Sequence, residues 1–427
     1  MKGNADQLRE WDRMYCWHPF TQHAEWGRSG EELVLVGGEG PWLIDAEGRR
    51  YFDGNSSIWT NIHGHRHPRI DEAVRVQLAE VAHTSFLGFT HPGAAELARR
   101  LVGFFPPATL ERVFFSDDGS TAVEVAVKMA IQFRQQSGEP ERRGFIAFEH
   151  AYHGDTMGAA SLGGVSLFFD RFRSFGFPAR HVASLAELHA IPEDEIAGAA
   201  AVVIEPLIQG VNEMRPWPAG MLRELRSWCD EHGLHLILDE VLTGFGRTGT
   251  MFACEQEEVI PDFLCLAKGL TGGYLPLAAT LTTSPVFEAF LGDRGRTFYY
   301  GHSYTANQLG CAAALASLDV FEEERVLEGL AVRVEALGQG LQAIEHPSVS
   351  DVRQCGLIAG LELRQENGER FPEGERMGER VCLAARAHGL LTRPIRDTIV
   401  MMPPLCSTPE EITGACEALG RAVEEMS

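Results

Sequence analysis

The sequence predicts an α/β protein, with a large domain built on a mostly parallel sheet covered by helices and a smaller α+β domain beside it. Three observations carry this expectation. Between about residues 110 and 320, short apolar runs alternate with amphipathic helical stretches, the pattern of strands that return to one open sheet through helices. After about residue 325 the alternation gives way to a long helix, two strands and a final helix. At 427 residues the chain also exceeds the roughly 250–300 residues at which a single core stops growing.

In chain order, residues 1–65 are expected to contribute to the small domain, 66–324 to form the large domain, and 325–427 to form the C-terminal small domain. The strands of the large domain are read at Val113-Phe114-Phe115, 144–148, 200–204, 234–238 and 263–267. Between them, residues 120–136 place Val123, Val127, Ala130 and Ile131 at helical spacing, and 221–232 ends at Gly233, a C-terminal stop. In the small domain, strands are expected near 356–363 and 398–402. Thr408 with Glu411 three residues on forms a capping box, and Pro409 stands at the first helical position, so the start of the final helix is well marked.

Composition narrows the function classes. Apolar residues at 44% and charged residues at 23% are ordinary for a globular protein. A net charge of −23, with no Lys/Arg-rich block, argues against a nucleic-acid partner. No run approaches the ~20 apolar residues of a membrane span, and Met1 to Asp6 lacks the apolar stretch of a signal peptide, so the cytoplasm is the expected location. Nine scattered cysteines with no C-x-x-C pair read as reduced packing residues rather than a disulfide frame or zinc site.

Chemistry concentrates at strand ends. The run 234–238 leads into Asp239-Glu240, and the run 263–267 leads into Lys268. A carboxylate at one strand end can hold a protonated pyridine nitrogen, and a lysine at the next can form an imine with an aldehyde, which is how proteins hold pyridoxal phosphate. Taken singly, Lys268 could be a surface residue capping a strand and Asp239 a turn residue; the pair is far more specific. Ser116-Asp117-Asp118-Gly119-Ser120-Thr121 opens a helix after a strand, where free N–H groups suit a phosphate, although simple capping by Ser120 explains the same residues. Tyr152 and His153 follow the next strand and could stack on or border a planar ligand, or merely pack. Gly244-Phe245-Gly246-Arg247-Thr248-Gly249 satisfies a dinucleotide fingerprint but does not open a helix directly after its strand. His63, His65 and His67 precede Pro68 and read as turn and capping residues rather than a metal site.

Asp239 to Gly249 and Ala267-Lys268-Gly269-Leu270-Thr271-Gly272-Gly273 together resemble the class III pyridoxal-phosphate-dependent aminotransferases of fold type I. Trp17-His18-Pro19-Phe20-Thr21, His63-Gly64-His65, Tyr152 to Thr156 and Arg393-Pro394 resemble the biotin-pathway branch, which converts 8-amino-7-oxononanoate to 7,8-diaminononanoate. The likeness runs from about Trp17 to Pro404. It implies that Lys268 forms the imine and moves protons, that Asp239 keeps the pyridine nitrogen protonated, and that Tyr152 stacks on the ring beside His153. It implies that Gly119 and Ser120 hold the phosphate, and that Gly301, His302 and Ser303 belong to the segment by which the other subunit of a homodimer completes the site. Arg393 would pair with the keto-acid carboxylate. Asp118 stands where a serine usually helps bind phosphate; an ionised Asp cannot donate a hydrogen bond, so its side chain is expected to turn away. Phe20, Ile58 and Val400 replace the Tyr, Trp and Tyr usual in members that use S-adenosylmethionine as amino donor, a cation suited to aromatic faces. The donor stays open between S-adenosylmethionine and L-lysine, which these pocket residues favour. The alternative activities are an ω-amino acid or diamine transaminase and, from another class, a cofactor-binding protein without turnover.

Overall fold

The structure, a computed structural model, describes residues 4–26 and 32–426. Seven strands form the central sheet, in the spatial order Leu110–Ser116, Ala278–Thr283, Phe263–Leu266, His235–Asp239, Ala199–Ile204, Gly144–Phe148 and Ala179–Val182. Six run the same way, and Ala278–Thr283 alone opposes both of its neighbours. The inner strands are continuous apolar runs because helices cover both faces, leaving no wet side to demand alternation.

All five expected strands are present, none displaced by more than three residues at either end. Two more join the sheet. Ala278–Thr283, of sequence Ala-Ala-Thr-Leu-Thr-Thr, carries little apolar signal. It can lie inside the sheet, next to the edge strand, because the Thr280 hydroxyl donates to the Ala122 carbonyl at 2.8 Å and that of Thr282 to the Asp262 carbonyl at 2.9 Å. Ala179–Val182 is a short edge strand.

The C-terminal ends of the parallel strands lie along one edge, where ligands of such sheets bind. Asp239 ends its strand, Lys268 follows Leu266 by two residues, and the helix Gly119–Gln136 starts just after Ser116. Two smaller sheets flank this edge. Leu35–Glu39, Trp42–Asp45 and Arg50–Asp53 are joined by Leu390–Leu391, so the two ends of the chain share one sheet. The other is antiparallel, ordered Val349–Cys355, Ile358–Leu363, Thr398–Met401 and Pro394–Ile395. The final helix, Pro409–Glu424, begins with the capping box expected at Thr408 and Glu411.

The glycine-rich decoy has a structural use. Arg247 is fully buried, and its guanidinium donates to the carbonyls of Pro403 at 2.7 Å and Asn61 at 2.6 Å, tying this loop to two segments distant in sequence. Among the described residues no helix is long and apolar enough to cross a membrane.

Candidate active site

Two cavities open along the sheet edge and share Trp59, Tyr152 and Lys268. The inner one, about 400 Å³, is lined by Asp118, Gly119, Ser120, His153, Glu205 and Asp239 besides the shared residues. The outer one, about 1060 Å³, is bordered by Phe20, Ile58, Arg393 and Val400.

The Lys268 amine sits over the Trp59 ring, 4.7 Å from its centroid. Burial pushes its pKa down to about 8, against the pull of Asp239 and Glu205, so a useful fraction is neutral near neutrality. Its backbone is left-handed, with φ of 44°, a rare conformation for a residue with a side chain. Asp239 is buried; one carboxylate oxygen accepts from the His153 ring at 2.8 Å and the other from the Val241 N–H at 3.1 Å. Burial works to lower the His153 pKa, but the hydrogen bond and charge of Asp239 outweigh it and leave it raised. His153 thereby fixes the carboxylate and lends it positive charge. Burial, with the hydrogen bond from its hydroxyl to Asp155 at 2.7 Å, raises the Tyr152 pKa, keeping the phenol neutral.

A phosphate fits the helix start at Gly119. The N–H groups of Gly119 and Ser120 have no partner among the described residues, and a side chain at Gly119 would meet Val241 at 2.6 Å. Gly154, with φ of 119°, lies so close to Ser120 that a Cβ there would meet the serine hydroxyl at 2.1 Å. Asp118 does turn away: its carboxylate accepts from the Thr121 N–H at 2.9 Å while the Thr121 hydroxyl takes the Asp118 N–H at 3.0 Å, a capping box. These groups fit pyridoxal phosphate, with an amine for its aldehyde, an acid for its ring nitrogen and a helix start for its phosphate.

The wall between the cavities is a left-handed turn. Ser56, Ser57, Ile58 and Trp59 have φ of 45°, 49°, 63° and 70°. Such a conformation costs roughly 1–2 kcal/mol for each L-residue. The turn is held by Asp53, whose carboxylate accepts from the Ser57 N–H and hydroxyl, both at 2.8 Å, and by the Ser56 hydroxyl on the Met402 carbonyl at 2.6 Å. His65 lies 3.0 Å from the same Asp53 carboxylate, so one of the three histidines supports this turn.

In the outer cavity, Phe20 packs edge-to-face on Phe168, and Phe168 on Tyr152, with centroids 5.4 and 6.0 Å apart. Val400 is 1% exposed and packs with Ile208, Met214 and Leu242. Arg393 is exposed, with no carboxylate within ion-pair distance among the described residues. Its neighbour Arg370 is held by both oxygens of Glu213, at 2.9 and 3.2 Å.

Three expected residues are not in either cavity. Gly301 and Ser303 are exposed, and His302 bonds Asp117 of its own chain at 2.8 Å and the Tyr300 hydroxyl at 3.0 Å. Sequence reasoning missed Trp59, Phe168 and Glu205. Glu205 had a signal, since it ends the apolar run 199–204 just as Asp239 ends its own; the left-handed turn, which contains no glycine, had none.

The class III aminotransferase family model matches residues 27–423. An adenosylmethionine-8-amino-7-oxononanoate aminotransferase of Geobacter sulfurreducens is 47% identical, covering 99% of this chain and 99% of that protein. One from Nitratidesulfovibrio vulgaris is 49% identical over 95% of this chain and 79% of that protein. Among solved structures, the adenosylmethionine-8-amino-7-oxononanoate aminotransferase of Methanocaldococcus jannaschii superposes with a TM-score of 0.95 at 41% identity, covering 99% of each chain. An (S)-enantioselective omega-transaminase of Thermomicrobium roseum does so at 0.93 and 33%, again covering 99% of each chain.

Proposed function

The chain belongs to the class III aminotransferases, whose cofactor is pyridoxal phosphate, and from that premise we propose that it aminates 8-amino-7-oxononanoate to 7,8-diaminononanoate in biotin biosynthesis. The observation that carries this reading is the outer cavity. Its wall at Ile58, Ile395 and Val400 is aliphatic, and it runs from Lys268 to Arg393, a guanidinium without a carboxylate partner among the described residues. A ketone separated from its carboxylate by a polymethylene chain matches that layout, with the carboxylate on Arg393 and the ketone beside Lys268.

When bound, the cofactor supplies an electron sink for the carbon that loses or gains a proton. Lys268 holds and moves that proton, and Asp239, fixed by His153, keeps positive charge on the pyridine nitrogen. Tyr152 covers one face of the ring and excludes water. Gly119 and Ser120 hold the phosphate through main-chain N–H groups. A homodimer would complete the site: Gly301 and Ser303 are exposed, with Leu87 near Gly301 and exposed Tyr299 and Tyr304 in the same segment, and there a partner subunit would bring its own segment to the phosphate.

For the donor we favour L-lysine, because Ile58 and Val400 offer a sulfonium no aromatic face; S-adenosylmethionine, named in the relatives, is the alternative. The likeness to omega-transaminases favours a second reading, an ω-amine transaminase. Single-turnover absorbance distinguishes them. The aminated cofactor form should be discharged by 8-amino-7-oxononanoate far faster than by a simple keto acid; discharge by the keto acid alone would give the ω-amine reading.

A further inference from the structure

Glu205 is a buried acid of the inner cavity to which neither the family resemblance nor the proposed chemistry gives a task. It is 4% exposed, and no arginine, lysine or histidine nitrogen lies within ion-pair distance of it among the described residues. A buried carboxylate without a cation is destabilising and calls for a use. Its two oxygens are each engaged by one main-chain N–H: Tyr152 donates to one at 3.0 Å and Gly210 to the other at 2.9 Å. Its own carbonyl takes the Trp217 indole N–H at 3.0 Å, which fixes the backbone from which the carboxylate projects.

The two loops it joins are the two walls of the site. Tyr152 carries the ring that faces both cavities. Gly210 packs under Trp59, so closely that a Cβ there would lie 3.4 Å from the indole and 2.5 Å from Leu242. Trp59 in turn holds the Lys268 amine over its face.

We propose that Glu205 is a positioning residue for transamination: its carboxylate ties the main chain of Tyr152 to that of Gly210, setting the gap between the Tyr152 and Trp59 walls, and places a negative charge where it acts on the Lys268 nitrogen. His153, Asp239 and Lys268 share its cavity and its electrostatics, and Asp117, Asp118, Tyr152 and Tyr274 are the other titratable groups of that lining. Burial pushes the Glu205 pKa up to about 7, with His153 opposing and Asp239 adding to the shift, so its charge is present above neutrality. There it favours the protonated Lys268 nitrogen.

The test uses holoenzyme loaded with pyridoxal phosphate and is independent of the ketone. The pH midpoint of the cofactor's visible absorbance reports the proton on the Lys268 nitrogen. In Glu205→Gln, where the charge is gone, the proton-binding constant is expected to fall about tenfold. Glu205→Asp keeps the charge but withdraws the carboxylate by one methylene; its midpoint should stay at the native value while the visible circular dichroism of the cofactor, set by the ring's walls, falls at least about twofold. A glutamine variant that titrates within about 0.2 pH unit of native overturns the electrostatic half. An aspartate variant with a full circular dichroism band overturns the positioning half, and this arm stands even where the glutamine variant fails to fold.

Discussion

The inner and outer cavities meet at Lys268 but are built differently. The inner one is assembled from consecutive strand ends of one buried sheet: Asp239, Glu205 and Lys268 emerge from neighbouring strands, and Gly119 starts the helix after a fourth. The outer one is assembled from segments distant in sequence: Phe20, the left-handed turn at Ile58, Phe168, and the hairpin carrying Arg393 and Val400. A sheet fixes its strand ends to within the register of its hydrogen bonds, whereas loops can vary singly. The chemistry therefore sits on the rigid region and substrate choice on the variable one.

Substitutions should divide along the same line. Lys268→Ala removes the group common to both cavities, and loss of both turnover and the covalently held cofactor is expected, read by absorbance after gel filtration. Asp239→Asn should keep the fold and the bound cofactor yet lower kcat by ~10³-fold, since a neutral amide no longer favours a protonated pyridine. Turnover near the native rate would remove Asp239 from the ring nitrogen. In the outer cavity, Arg393→Ala should lower kcat/KM for 8-amino-7-oxononanoate by about 100-fold, the loss of a charge-assisted pair of 1.5–3 kcal/mol. The absorbance of the holoenzyme without substrate should not change. An altered spectrum in that variant would break the division between the two regions.

Two smaller effects sharpen it. The Lys268 amine, pushed down to about 8, must be neutral to attack the cofactor's aldehyde. The rate of reconstitution of the apoprotein should therefore rise with pH through about 8 and level off above it. At pH 7 roughly a tenth of the amine is neutral, against about three in ten thousand for an unperturbed lysine. A rise centred near 10.5, the ordinary value, would mean the amine is not desolvated. The smallest change expected is that of Ile58→Trp, which should shift donor preference toward S-adenosylmethionine by up to about tenfold, the worth of one cation–π contact. Competing half-reactions with S-adenosylmethionine and lysine measure it.

The inner cavity was the more legible region for the same physical reason. An apolar run ending in Asp239 or Lys268 advertises a buried strand end, and the two runs, consecutive strands of the chain, pair directly side by side. Glu205 had that signal too. Asp118 was legible only as a negative, an acid unable to donate to a phosphate; that it caps the helix through Thr121 needed the fold. Ala278–Thr283 went unread because buried threonines inside a sheet depend on carbonyl partners at Ala122 and Asp262, distant in sequence. The turn at Ser56 to Trp59 was illegible for a stronger reason. Four side-chain-bearing residues in a left-handed conformation contradict local preference, and only Asp53, Met402 and the packing around them hold the turn.

The junction at Lys268 admits a direct test, because the chain has only three lysines, Lys2, Lys128 and Lys268. Borohydride reduction of the yellow holoenzyme followed by peptide mapping should place the reduced pyridoxyl group on Lys268 in stoichiometric amount. Lys128, whose amine lies over the Tyr300 ring at 5.2 Å, serves as the internal control and should remain unmodified. A reduced pyridoxyl group on Lys128 or Lys2, with Lys268 free, would contradict the assignment of both cavities.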